Sequence, residues 1–331
     1  MRLMPESMIQ LAREAAIQRA RTEGDILAAY LTGSVLDKDP FLGNSADIDL
    51  VLIHAGEPKS RREIIAISPD IHLDIKHNPR REYNRPRDLR VHPWLGPEVY
   101  NPLLLYDSDH FFQFVQAGLR AKFNAPENII QRARLNAGHA RQIRSDLQSP
   151  SADGVEMSLK YLKAINHVAN AVAILNGSPL AERRFLLQFP ERAEAAGRPD
   201  LASSLLGLLG SSAGNISTIL ASLTEWEKDF LEAASRANVD ERIHPARLAY
   251  YKKAIEVMLA GEHPQSILWP LIHTWSLAAA VLPPERTSSW QTACRQLGLA
   301  GEAFGARLQS FDHFLDNVEE LLAKISAVSS I

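Results

Sequence analysis

Residues Asp47-Ile48-Asp49-Leu50-Val51-Leu52-Ile53 place two acids at alternate positions of an otherwise apolar run. In an extended strand alternate side chains share a face, so Asp47 and Asp49 project together while Ile48 and Leu50 turn the other way. Two carboxylates on one face repel, and burying them uncompensated is costly. A hard cation is the usual compensation, and oxygen ligands of this kind suit Mg²⁺ carrying a phosphate. Upstream, Ile26–Leu31 forms a second apolar run, followed by Thr32 and the pair Gly33-Ser34. Glycine lets the backbone approach an anion closely, and the turn's amide and hydroxyl groups can donate to it.

At 331 residues the chain has material for two domains or one large one. A formal net charge of −3 provides no global attraction for nucleic acid. Cys294 is the single cysteine, which excludes an intramolecular disulfide, argues against a cysteine-based metal site and fits a cytoplasmic location. Glu6, Arg13 and Glu14 interrupt any apolar region that a signal peptide would need. The stretch Trp269–Leu282 contains Pro270, His273 and Ser276 and is too short to span a bilayer, so the expectation is a soluble chain with no membrane partner.

Periodicity predicts a helix over 5–22, stopped by Gly24, then strands at Ile26–Leu31, Asp47–His54 and Ile71–His77. Residues 63–67 read as a further strand or the end of a helix, and Leu103–Tyr106 as a last edge strand. From Ser108 onward helical periods follow one another, over about 109–122, 126–147, 155–176, 181–195, 213–236, 245–260, 264–281, 287–297 and 302–328. Ile216, Ile219, Leu220, Leu223, Trp226 and Phe230 share one face, as do Leu308, Phe311, Leu315, Val318, Leu322 and Ile325. The expected architecture is a small α/β head with a mixed sheet, residues 1–110, followed by an all-α helical bundle, residues 111–331.

The Gly-Ser turn followed by a paired-acid strand resembles the polymerase-beta-like nucleotidyltransferase superfamily, the matching residues being Gly33, Ser34, Asp47 and Asp49. The resemblance implies a third carboxylate from a neighbouring strand, a role that Asp74 fills within Ile71-His72-Leu73-Asp74-Ile75. It also implies two Mg²⁺ ions, one held by Asp47 and Asp49 on the triphosphate of an NTP such as ATP, the other bound by all three acids. The loop between Gly33 and Asp47 departs from the pattern. It contains Pro40 and Gly43, is longer than in most members, and offers Lys38 where many carry an arginine.

The two-domain layout is similar to that of aminoglycoside nucleotidyltransferases. In antibiotic-modifying members a glutamate of the helical domain is the general base, and a lysine one turn later contacts phosphate. Glu156 and Lys160 match that spacing here, with Asp74 as the rival base. An exposed Glu–Lys pair that only supports its helix explains the same spacing. A second acid pair, Asp107-Ser108-Asp109, precedes an expected helix and reads as capping. The arginines at 80, 81, 85, 87 and 90 read as a solvated face balanced by Glu82 and Asp88. His72 and His77, flanking Asp74, read as incidental, since no third ligand stands at zinc spacing.

The resemblance therefore implies a nucleotidyltransferase that moves NMP from an NTP onto a hydroxyl of a small-molecule or protein acceptor and releases pyrophosphate. A nucleotide-binding regulatory protein on a retired catalytic head is the alternative. A metal-dependent glycosyltransferase ranks last, for want of a larger parallel α/β domain. A homodimer is left open.

Overall fold

The computed structural model describes residues 4–37, 39–147, 154–211 and 219–328. Two compact units divide between Asn128 and Ile129.

The first unit is a five-stranded mixed sheet with helices. It opens with α1 (Pro5–Thr22) and the strands β1 (Ile26–Thr32), β2 (Ala46–His54), β3 (Arg62–Ser68), β4 (Ile71–Pro79) and β5 (Leu103–Asp107). Residues 63–67, ambiguous in sequence, lie in β3. The strand order is β3-β4-β2-β1-β5, with β2 and β4 parallel and the other neighbours antiparallel. Alternation along β2 separates two cores. Ile48, Leu50 and Leu52 face α1, where Met8, Ala12 and Ala16 are buried with Leu73 and Ile75 of β4. Val51 and Ile53 face the other way, packing with Ala28, Tyr30, Tyr83, Leu89 and Phe112.

That second core is closed by α2 (Leu95–Tyr100) and α3 (Phe111–Arg120), with short 3-10 turns before them. Phe112, Val115 and Leu119 of α3 are buried there, and Phe112 stacks on Tyr30 with ring centroids 4.7 Å apart. This packing keeps α3 in the first unit, so the division falls later than residue 110. Asp107 accepts from the amides of Phe112 and Gln113 at 2.8 and 3.1 Å, which satisfies orphan donors in the first turn of α3.

The second unit is helical. Its elements include α4 (Pro126–Asp146), α5 (Gly154–Ala173), α6 (Phe185–Ala195), α7 (Asp200–Leu208), α8 (Leu223–Ala234), α9 (Arg247–Ala260), α10 (Leu268–Ala279), α11 (Ser288–Gln296) and α12 (Phe304–Val328). Every residue of α10 is buried, so this short apolar segment is a core helix. Several of its polar side chains bond to neighbours: Trp226 donates to Thr274, Trp275 to Asp229 and Trp290 to Ser276, at 2.8–3.0 Å. Ile216 and the start of the helix expected at 213–236 lie outside the described residues. Neither α2 nor α7 was anticipated. The α2 segment is only six residues long, and α7 carries Ser203, Ser204 and Gly207, which mask a helical period. Among the described residues no helix is long and apolar enough to cross a membrane.

A chain of polar groups ties the second core to β4. Tyr30 donates to Glu98 at 2.8 Å, its hydroxyl lies 2.9 Å from that of Tyr83, and Asn78 donates to Tyr83 at 2.7 Å. Burial pushes the Tyr30 phenol well up, so it stays protonated and donates. Tyr30→Phe removes that donor and leaves buried acceptors unmatched, an expected cost of about 1–2 kcal/mol. Thermal unfolding compared with wild type measures it.

Candidate functional site

The parallel register of β2 and β4 sets Asp47 beside His72 and Asp49 beside Asp74. Paired residues of neighbouring strands share a face, so the three acids expected from the sequence converge, and one ligand atom from each lies within 4.8 Å of the others. Asp47 and Asp74 are buried at 7% and 3% exposure, and Asp49 is half-buried. At such separations each carboxylate pair repels by roughly 3 kcal/mol at an effective dielectric of about 20. The set is therefore built for positive charge, and three oxygen donors fit a divalent cation of the Mg²⁺ type.

Part of that charge comes from Arg62 of β3, which grips Asp74 through two bonds, Nε to Oδ1 at 2.7 Å and Nη2 to Oδ2 at 2.6 Å. Sequence reading missed this residue. Its signal was the alternation Arg62, Ile64, Ala66, which β3 pairs with Lys76, Asp74 and His72 on the face of the acids. His72 is also close, its Nε2 4.0 Å from Asp47 Oδ2, and it is buried. One strand period beyond Asp74, Lys76 donates to Glu98 at 2.9 Å.

Gly33 follows the last residue of β1, Thr32, which pairs with Asp49. Its φ of 78° lies in the left-handed region, and a Cβ there would overlap the Asp49 carboxylate. Only glycine lets the turn pass this close to the acid. Ser34 opens a 3-10 turn, Ser34–Leu36, directly after it. Lys38 lies outside the described residues.

Glu156 and Lys160 sit on α5 of the second unit. They ion-pair with each other at 2.6 Å, one turn apart, with side chains 56% and 38% exposed. Of the arginines between 80 and 90, Arg81 pairs with Glu57 at 2.7 Å, Arg85 with Asp88 at 3.9 Å, and Arg80 lies over the Phe111 ring.

No known protein family matches the sequence, and no curated protein does. Among solved structures, the chain is similar to a nucleotidyltransferase-like protein from Exiguobacterium sibiricum 255-15, at 10% identity and a TM-score of 0.29. The alignment covers 96% of this chain and 91% of that one. A likeness of that size establishes neither a shared fold nor a shared function, and the reading rests on the site itself.

Gly33→Ala is expected to push Asp49 off the cluster. Mn²⁺ affinity, read by the free-ion EPR signal, should fall while far-UV circular dichroism stays at wild type. Arg62→Gln removes the cation that offsets Asp74. It should cost about 2 kcal/mol in EDTA, with Mg²⁺ restoring more stability to the variant than to wild type in the same unfolding assay.

Proposed function

We propose that the chain is a Mg²⁺-dependent nucleotidyltransferase, moving NMP from an NTP, ATP foremost, to a hydroxyl of a small-molecule or protein acceptor and releasing pyrophosphate. The observation that carries this reading is the convergence of Asp47, Asp49 and Asp74 beside the left-handed Gly33 turn. Three carboxylates on adjacent strands are hard to explain as packing, because their repulsion opposes the fold.

In this reading Asp47 and Asp49 hold the ion that carries the triphosphate, and Asp74 completes the set. The bound metal would offset negative charge on the transferring phosphoryl group and its leaving oxygen. Gly33 and Ser34 present a backbone amide and a hydroxyl to the phosphates. The acceptor oxygen bonds to the α-phosphorus, the bond from that phosphorus to the bridging oxygen breaks, and pyrophosphate leaves. The acceptor proton goes to a carboxylate, Glu156 or Asp74, and Lys160 adds positive charge for the phosphates. The helical unit, in this proposal, provides the acceptor site.

One observation favours the second reading, a nucleotide-binding protein without turnover: both oxygens of Asp74 are held by Arg62. A single assay separates the two. Pyrophosphate release is measured for each of the four NTPs with Mg²⁺ against a panel of aminoglycosides and a cell extract. Acceptor-dependent release that falls at least about 100-fold in Asp49→Ala supports the transferase. Nucleotide binding without release under any acceptor supports the regulatory reading, and release unchanged in Asp49→Ala overturns the site.

A further inference from the structure

The second acid pair of the sequence, Asp107-Ser108-Asp109, has one member that the helix cap does not use. Asp107 alone caps α3, by accepting from the amides of Phe112 and Gln113. Among the described residues the Asp109 carboxylate accepts only from the Ser108 hydroxyl, at 3.2 Å. Asp109 and His110 both stand in the left-handed region, with φ of 54° and 57°. Two such residues in succession, neither a glycine, are uncommon backbone, and strain of this kind gathers at binding sites. The turn leaves Asp109 exposed on the wall of a cavity.

That cavity has a volume of about 470 Å³, and Leu27, Arg80, Ser108, Asp109, Phe111 and Phe114 contribute to its lining. Apolar walls carrying a few placed polar groups, around a volume of this order, describe a small-molecule site. Phe114 is 81% exposed, a large ring held in water on a helix whose core face is already supplied by Phe112, Val115 and Leu119. The Arg80 guanidinium lies over the Phe111 ring, 5.3 Å from its centroid. Among the described residues no carboxylate stands within ion-pair distance of it, whereas Arg81 and Arg85 pair with Glu57 and Asp88.

Arg80 and Asp109 therefore line one cavity without pairing with each other. An anion there gains from Arg80 and is opposed by Asp109, and a cation meets the reverse. A ligand with both charges satisfies both walls. An aromatic ring on that ligand finds the exposed face of Phe114. The cavity is separate from the acid triad. Leu27 stands at the start of β1, whereas Thr32, its last residue, pairs with Asp49. Five residues of strand put roughly 17 Å between the two places.

We propose that this cavity binds an aromatic zwitterion, the chemistry of an α-amino acid with a planar side chain. Arg80 donates to the carboxylate, Asp109 accepts from the ammonium group, and the side-chain ring lies against Phe114. Binding of this kind needs no metal and takes no part in the proposed transfer reaction.

The test is ligand-observed saturation-transfer NMR on the full-length chain. The probes are L-tryptophan and two analogues that each lack one charge, tryptamine and indole-3-propionate. L-Tryptophan should bind with a Kd of about 1 mM or lower, and each analogue about 10-fold more weakly. Arg80→Gln should reduce L-tryptophan to the affinity of tryptamine, and Asp109→Asn to that of indole-3-propionate. Asparagine is at ease in the left-handed region, so the second variant keeps the turn. Phe114→Ser, at an exposed side chain, should weaken all three probes about 5-fold without unfolding the protein. The proposal is overturned if L-tryptophan does not bind at about 10 mM, if either analogue binds as tightly, or if any of the three variants retains wild-type affinity for it.

Discussion

The parallel pairing of β2 with β4 is the constraint on which the candidate site depends. It places Asp49 directly beside Asp74, with Asp47 two residues along, so three carboxylates share one patch of one sheet face. Their repulsion works against folding. The surrounding structure answers it with the Arg62 guanidinium, brought in by the antiparallel edge strand β3, and with apolar packing on both faces of β2. The strands that hold the acids are thus anchored by burial that does not involve them. This is how a sheet can carry an unfavourable cluster without losing its register.

The sheet's two faces gather different side chains. On the face of Val51 and Ile53 the converging ligand atoms are carboxylate oxygens of three aspartates. Toward α1 they are imidazole and carboxylate atoms, from His54, Asp25 and Glu23. The separation follows from strand alternation alone: Asp47 and Asp49 are odd positions of β2, whereas His54 is even, with Leu50 and Leu52. A single strand therefore supplies different groups to opposite sides.

The helical unit handles its polar groups differently. Its core is rich in tryptophan, and the indole N–H groups of Trp226, Trp275 and Trp290 each find a buried oxygen acceptor. Glu182, His273, Arg242 and Asp240 form a further, half-buried set, with Glu182 2.5 Å from His273 and Arg242 bonded to Asp240 at 2.7 Å. His273 and Arg242 hold the Glu182 carboxyl below its usual range against the opposing effect of burial. In this set each acid meets a base, in contrast to the three acids that share one patch of the sheet.

Local pattern determined much of this protein. Alternation identified the strands that carry Asp47, Asp49 and Asp74, and threefold and fourfold spacing identified most of the long helices, because both periods are properties of a short stretch of chain. A turn of close backbone approach at Gly33 was legible too, whereas its left-handed geometry against the Asp49 carboxylate was not. Partners contributed from far along the chain were not. Arg62 reaches Asp74 only because β3 and β4 pair in one register, His54 meets Asp25 and His77 only because β2 lies between β1 and β4, and α3 joins the first unit only because Phe112 packs on Tyr30. Those contacts join residues distant in sequence, and strand order and register, which arise from packing the whole sheet at once, decide them.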